Sequence, residues 1–283
     1  MREEHNRRTG VEAGEGAGPP EERRSSKSSD LKEFDDVRRR VQLDICGHYA
    51  HPPAFRHIAG RRVGDNRAVS STTDIIRRRA ETVVAAVRGD EVGVYRMIKQ
   101  LVATTIKEYR GRFLHELIQN GFDAHPEGSR DGKIAVHFHE TEAEHGVLYV
   151  ANGGRPLSES NFLRMASLGD SDKPIGVGIG NKGVGFKSVF QICDVPEVYS
   201  SSGPSDPGFS GFSFRFGTLS DLDHYLDPDD PVRTKLEAEL SLSLLTVPLE
   251  AIPPTVADFR SQGFVTVLRL PASSSRAATE IRD

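Results

Sequence analysis

The chain has 283 residues, of which 36% are hydrophobic and 28% charged, with a formal net charge of -4. That balance is expected of a soluble protein with a modest core, one large domain or one domain with extensions, and it argues against a nucleic-acid-coating role. No run of about 18 apolar residues offers a membrane span, MREEHNRRTG lacks the apolar stretch of a secretory signal, and two cysteines, Cys46 and Cys193, suit a reduced, cytoplasmic protein.

Residues 1–30 are Glu, Arg, Gly, Ser and Pro with almost nothing apolar. Such a tail cannot offset the entropy of ordering and is expected to be disordered. A helical extension with a linker is expected over 31–89. Phe34, Val37, Val41 and Ile45 recur at helical spacing, and Cys46, His48, His51 and His57 follow in a stretch that matches no paired zinc-ligand pattern. The spacing predicts a helix capped at Asp74 and stopped at Gly89, then another from Asp90 to about Lys107 with Val94, Ile98, Leu101, Val102 and Thr105 on one face. Arg77, Arg78 and Arg79 read as a solvated basic face.

Gly111 to Ala124, GRFLHELIQNGFDA, sets Glu116, Asn120 and Asp123 on one side of a helix and Phe113, Leu114, Leu117, Ile118 and Phe122 on the other. A carboxylate and a carboxamide aimed together from a buried position need a partner opposite them. A hydrated Mg2+ with phosphates supplies one. Asn120 offers a carbonyl oxygen to a hard cation, and Glu116 can take a proton from water. Strands are predicted at Lys133–His139, with His137 and His139 on an exposed face, and at Val147–Ala151. Ser158 to Gly180 is glycine-rich, as functional lids often are. From Gly183 a helix is predicted through Phe186, Val189, Phe190 and Ile192. Further strands are expected at 196–202, 209–216 and 264–270, an acidic loop at 221–231, a helix over 233–245, and a polar tail at 272–283.

Three decoys overlap the site. Gly178, Gly180 and Gly183 satisfy GxGxxG, but no apolar strand precedes them. GxxxxGK[ST] fails because Phe186 separates Gly185 from Lys187, and His115 lacks the proline that follows a sensor-kinase phosphoacceptor.

ELIQNGFDA, VLYVANGGRPL and IGNKGVGFKS, in this order, resemble the nucleotide-binding motifs of the GHKL ATPases. That superfamily includes gyrase B, the heat-shock-ninety chaperones, sensor histidine kinases and MutL, and the wording is most similar to the sacsin and NO VEIN type. The resemblance spans about 92–270. It implies a two-layer α/β sandwich, the Bergerat fold, with a mixed, mostly antiparallel sheet covered by helices on one face. It also implies an ATP-binding domain at 90–271 that hydrolyses ATP with Mg2+ to ADP and phosphate. Catalysis is carried over to Glu116 and metal binding to Asn120, while Asp123 supports the base or, through water, the metal. Ala124, Asn152 and Gly154 form the base pocket. Phosphate contact passes to Gly180, Gly183, Val184, Gly185 and Phe186, with Lys182 beside them and Lys173 in the lid.

The chain departs from that pattern in several places. Asn152 stands where the family has an Asp that selects adenine, Pro156 stands where a second Gly is common, and Phe264 follows Gly263 where many members have Thr, so that role is lost or passes to Thr266. Adenine is still the expected base. Gyrase, MutL and the heat-shock chaperones complete the site with a Lys or Arg from a following domain, which this sequence does not include, so a nucleotide-sensing module with little turnover is the alternative expectation. ATP-dependent dimerisation or a partner protein is in keeping with the superfamily; nucleic acid and membrane are not indicated.

Overall fold

In the computed structural model, the described residues are 42–46 (backbone only), 71–109, 111–129, 132–167 and 184–283. Strand β3 (Val147–Asn152) lies within a seven-stranded sheet and has five of its six residues buried. The order is β1-β2-β3-β7-β4-β5-β6. β1 (Gln42–Cys46) runs parallel to β2 (Lys133–His139), and β2, β3, β7 (Thr266–Pro271), β4 (Glu197–Ser200), β5 (Phe214–Phe216) and β6 (Thr246–Pro248) pair antiparallel. Successive strand side chains point to opposite faces. Ile134, Val136, Leu148, Val150, Val198 and Leu270 therefore meet most of the helices, and Ala135, Tyr149, Ala151, Tyr199 and Val267 face the other way. The result is a two-layer α/β sandwich with a mixed, mostly antiparallel sheet. Among the described residues the second face is closed by one short helix, α7 (Pro254–Ser261), through Val256 and Phe259.

Helix α1 (Thr72–Arg88) begins two residues before the expected cap position, Asp74. Ser71 caps it, its hydroxyl accepting the Asp74 N–H while the Asp74 carboxylate accepts the Ser71 N–H, each at 3.2 Å. Asp74 is thus the return half of a capping box. Gly89 closes the helix as expected. Ile76 enters the main core, and Ala80, Val83, Val84 and Val87 join a second cluster with Leu222, Leu236, Leu240 and Leu244. Each fully buried Leu or Val contributes roughly 1.5–3 kcal/mol.

Helix α2 (Val94–Glu108) starts later than Asp90, because Asp90 accepts the N–H groups of Gly93 at 2.9 Å and Tyr95 at 2.7 Å and so acts from outside the helix. Its buried face also differs from the expected one: Val102 is buried, but Leu101 is 59% exposed. Helix α3 (Phe113–Asp123) buries Phe113, Leu117 and Ile118, and Gly121 brings it close to the sheet, since a β-carbon there would lie 3.2 Å from Ile134 Cδ1. Helix α4 (Glu159–Met165) is capped by Ser158 and anchored by Phe162, which stacks on Phe212 at 5.1 Å.

The single helix expected from Gly183 is a short α5 (Val184–Lys187) that tightens into a 3-10 turn, Ser188–Gln191. The Ser188 hydroxyl donates to the Gly185 carbonyl at 2.6 Å, a local bond that competes with the helical ladder. The acidic stretch 221–231 is not all loop, since a 3-10 turn spans Leu219–His224 and buries Asp221 against Arg215 at 2.6 and 2.7 Å. Helix α6 (Arg233–Glu239) ends six residues short of the expected Leu245, and the chain turns through Leu242–Leu244 into β6.

Residues 272–283, expected as a polar tail, contain α8 (Ser275–Arg282). Its buried face is Ala277 and Ala278, too small to mark the stretch as apolar. Over 31–50 a strand stands at 42–46 where a helix was expected; 1–41 and 47–70, with the side chains of Cys46, His48, His51 and His57, lie outside the described residues. His137, expected on an exposed face, is buried and meets Phe259 edge-on at 5.5 Å.

Candidate functional site

The polar side of α3 and the end of β3 meet across a cavity of about 490 Å³, within the range typical of small-molecule sites. Asn120, Asp123 and Ala124 line it from α3, Asn152 and Thr266 from the sheet, Asn161, Arg164 and Met165 from α4, and Phe186 from α5. The described parts of all three sequence motifs therefore converge on one space.

Ala124 and Gly154 are in close contact: a β-carbon on Gly154 would lie 2.7 Å from the Ala124 carbonyl oxygen. The next amide, Arg155 N–H, donates to that same oxygen at 2.8 Å. The Arg155 guanidinium adds bonds to the Ala124 and Asp123 carbonyls, a cation placed on the negative end of α3. Buried His125 holds the same helix end to the sheet. Its Nε2 accepts the Lys133 N–H at 3.2 Å, so Nδ1 carries the proton and donates to the Gly121 carbonyl at 2.8 Å.

Asn120 and Asp123 are exposed rather than buried as expected, and Glu116 is half-buried. Glu116 is not part of the cavity wall. It stands against α5 next to Phe186, and a β-carbon on Gly185 would sit 2.2 Å from Glu116 Oε2. Val184 opens α5. Lys173, Gly180, Lys182 and Gly183 lie outside the described residues.

Four residues beyond those anticipated for the site belong to its surroundings. Arg164 lines the cavity with no hydrogen-bond or ion-pair partner for its guanidinium among the described residues. Thr266, named in advance only as an alternative, faces Asn152 directly across the β3–β7 ladder. Lys187 is fully buried and donates to the Met165 carbonyl at 2.6 Å and the Ser243 carbonyl at 2.5 Å, with its ammonium 4.8 Å from the Phe216 ring centre. Burial, and then the nearby Arg79 charge, push its pKa down to about 7. Arg79 in turn donates to the Ala166 carbonyl and the Ser167 hydroxyl, both at 3.2 Å. Lys187 and Arg79 together tie the end of α4 to α1, α5 and the 241–244 turn. The signal for Lys187 was its place in an otherwise apolar run, GFKSVF; the signal for Arg164 was weak, one cation on a short polar helix.

The donor set suits a hard cation shared with phosphates. An exposed amide oxygen and an exposed carboxylate, one turn apart on α3, are the oxygen ligands Mg2+ accepts alongside water and phosphate. Among the described residues no group of three or more His, Cys, Asp or Glu side chains forms a metal cage, and no helix is long and apolar enough to cross a membrane.

No protein-family model matches the chain. Over 163 residues, 54% of this chain, it is 28% identical to Protein NO VEIN of Arabidopsis thaliana. The chain spans only 5% of that protein's length. This likeness and the α/β sandwich define a chain with distant similarity to NO VEIN.

Proposed function

We propose that the cavity binds a purine nucleoside triphosphate with Mg2+ and that the chain hydrolyses ATP to ADP and phosphate. The observation that carries this reading is the convergence of α3, Asn152 and Phe186 on one cavity. Distant similarity to NO VEIN and the motif resemblance support it. Asn152 and Ala124 lie against the base, with Asp123 near the base or the metal. Asn120 holds Mg2+, which when bound neutralises phosphate charge. Glu116 positions water and takes its proton. Gly183, Gly185 and the amides of Val184 and Phe186 approach the phosphates, with Gly180, Lys182 and Lys173 assigned there on the resemblance alone. This is phosphoryl transfer by positioning and charge rather than covalent chemistry. A nucleotide-driven contact with a second copy or a partner protein is the expected output.

The position of Glu116 favours a second reading. It stands outside the cavity wall, against Gly185, which suits a module that binds ATP and turns it over little. Two measurements separate these readings. Mg-ATP at a hundredfold excess over Kd adds about 2.7 kcal/mol of stability, read as a thermal shift. Phosphate release then distinguishes enzyme from sensor. Glu116→Ala is expected to keep the shift and abolish release. Full release in that variant refutes the catalytic assignment, and a shift with no release in the wild type supports the sensor.

A further inference from the structure

Lys187 ends α5 with its side chain wholly enclosed, in surroundings that suit a positive charge poorly. Its Nζ donates to the Met165 carbonyl at 2.6 Å and to the Ser243 carbonyl at 2.5 Å. Beyond them it meets the rings of Phe216 and Phe190, 4.8 and 6.0 Å from their centres. Met165 of α4, Ser243 of the 242–244 turn and Phe216 of β5 contribute no titratable side chain. Among the described residues the charged group that acts on Lys187 is Arg79 of α1, of like sign. Burial, and then Arg79, bring the pKa down to about 7, so both charge states are populated near neutral pH.

The elements it joins are two that wall the cavity. Met165, the last residue of α4, and Phe186, the neighbour of Lys187 on α5, both line that space, while Lys187 itself does not. The Met165 carbonyl is one of those a helix leaves without a partner at its negative end. A charged ammonium caps it strongly. A neutral amine keeps two N–H groups for the two carbonyls but loses the attraction to the helix end and to both rings. An anionic ligand in the cavity adds the negative charge that Lys187 otherwise lacks, and an opposite charge nearby favours the protonated form. The linkage is reciprocal, so what favours the proton also favours the ligand. Resting on the nucleotide reading above, we infer that Lys187 is a positioning residue that takes up a proton when an anionic nucleotide fills the cavity, fastening α4 to α5 most firmly in the occupied protein.

The test counts protons by calorimetry on the full chain. The ligand is Mg2+ with the β,γ-imido analogue of ATP, which is not turned over, titrated at about pH 7.5 in two buffers of different ionisation enthalpy. The wild type is expected to take up about half a proton more than Lys187→Met, the gain for a group half-protonated near pH 7 that becomes about tenfold more readily protonated on binding. The nucleotide's own protons cancel in that comparison. A purely structural tether changes Kd and leaves the proton count alone. Equal counts in two proteins that both bind therefore overturn this inference and leave the nucleotide reading standing. Should Lys187→Met not fold, Arg79→Gln decides. Losing the like charge is expected to move the pH of greatest uptake upward, and an unmoved profile overturns the inference. Failure of the wild type to bind the analogue overturns the nucleotide reading and this inference together.

Discussion

Glu116 and Gly185, 69 positions apart in the sequence, are in direct contact: no β-carbon fits on residue 185 without meeting the Glu116 carboxylate, at 2.2 Å. The atom in the way is the far end of a flexible side chain, so a methyl group there would move the carboxylate and leave the backbone in place. Gly185→Ala is accordingly a probe of Glu116 placement. Alanine also suits a helix better than glycine by roughly 0.5–1 kcal/mol, which offsets part of the crowding. The expected result is a melting temperature within a few degrees of wild type and phosphate release lowered about tenfold or more, because a displacement near 1 Å can cost as much as a hundredfold. Unchanged release alongside unchanged stability would show that the position of Glu116 is unimportant.

Asn120 is exposed on the cavity wall and is the proposed metal ligand. Asn120→Ala should weaken ATP binding in the presence of Mg2+ and leave binding in excess chelator nearly unaltered. Titrations with and without the metal check this. An equal loss in both conditions would place Asn120 on the nucleotide itself.

Arg164 brings an unengaged cation, among the described residues, to the cavity. A hydrogen bond to a charged group contributes about 1.5–3 kcal/mol. Arg164→Ala should therefore weaken triphosphate binding by about tenfold or more and change adenosine binding little. Competition experiments with the nucleoside and the triphosphate report the difference, and equal losses for both would assign Arg164 to the base end.

Lys187 predicts a pH dependence. Its pKa in the folded chain is lowered to about 7, by burial first and by Arg79 second, from 10.5. Between those values the unfolded chain holds a proton that the folded chain does not, so stability rises with pH across this window, while the penalty is fully present below pH 7. Burial raises the Cys193 thiol pKa above its ordinary value of 9.0, which offsets the Lys187 rise above about that pH. Thermal melts should therefore gain from pH 7 to 9 in the wild type. Lys187→Met, which fills the space without a titrating group, should flatten that rise. An identical pH profile in the variant would mean the group stays charged across the range.

How much of this was legible in the sequence depended on the size of the side chains. Strands β2, β3 and β7 carry Ile, Val, Leu and Tyr in alternation, and helix α3 has a clear apolar stripe, so both were foreseen. The closing helix α8 buries only alanines, and β6 is three residues long, so neither left a periodic trace. Within the candidate site, Asn120, Asp123, Ala124, Asn152 and Phe186 could be placed together because motif order and spacing stood in for distance. The exposure of Asn120 and Asp123 and the separation of Glu116 from the cavity wall depend on how α3 is rotated against α5, which one-dimensional spacing does not encode. Lys187 was read only as part of a failed phosphate-loop pattern. What fixes it is a pair of carbonyls at Met165 and Ser243, both distant in sequence.

The edge strand β6 has a further consequence. It is three residues long, ends in Pro248, and is covered at Thr246, whose hydroxyl reaches the Ile76 carbonyl of α1 at 3.5 Å. Proline brings no amide hydrogen for another chain to use, and so short a margin gives a visiting strand little to grip. Growth of the sheet into stacked aggregates is therefore blocked on this flank by local chemistry. An Arg or Thr in place of Pro248 would be the change most apt to reopen it.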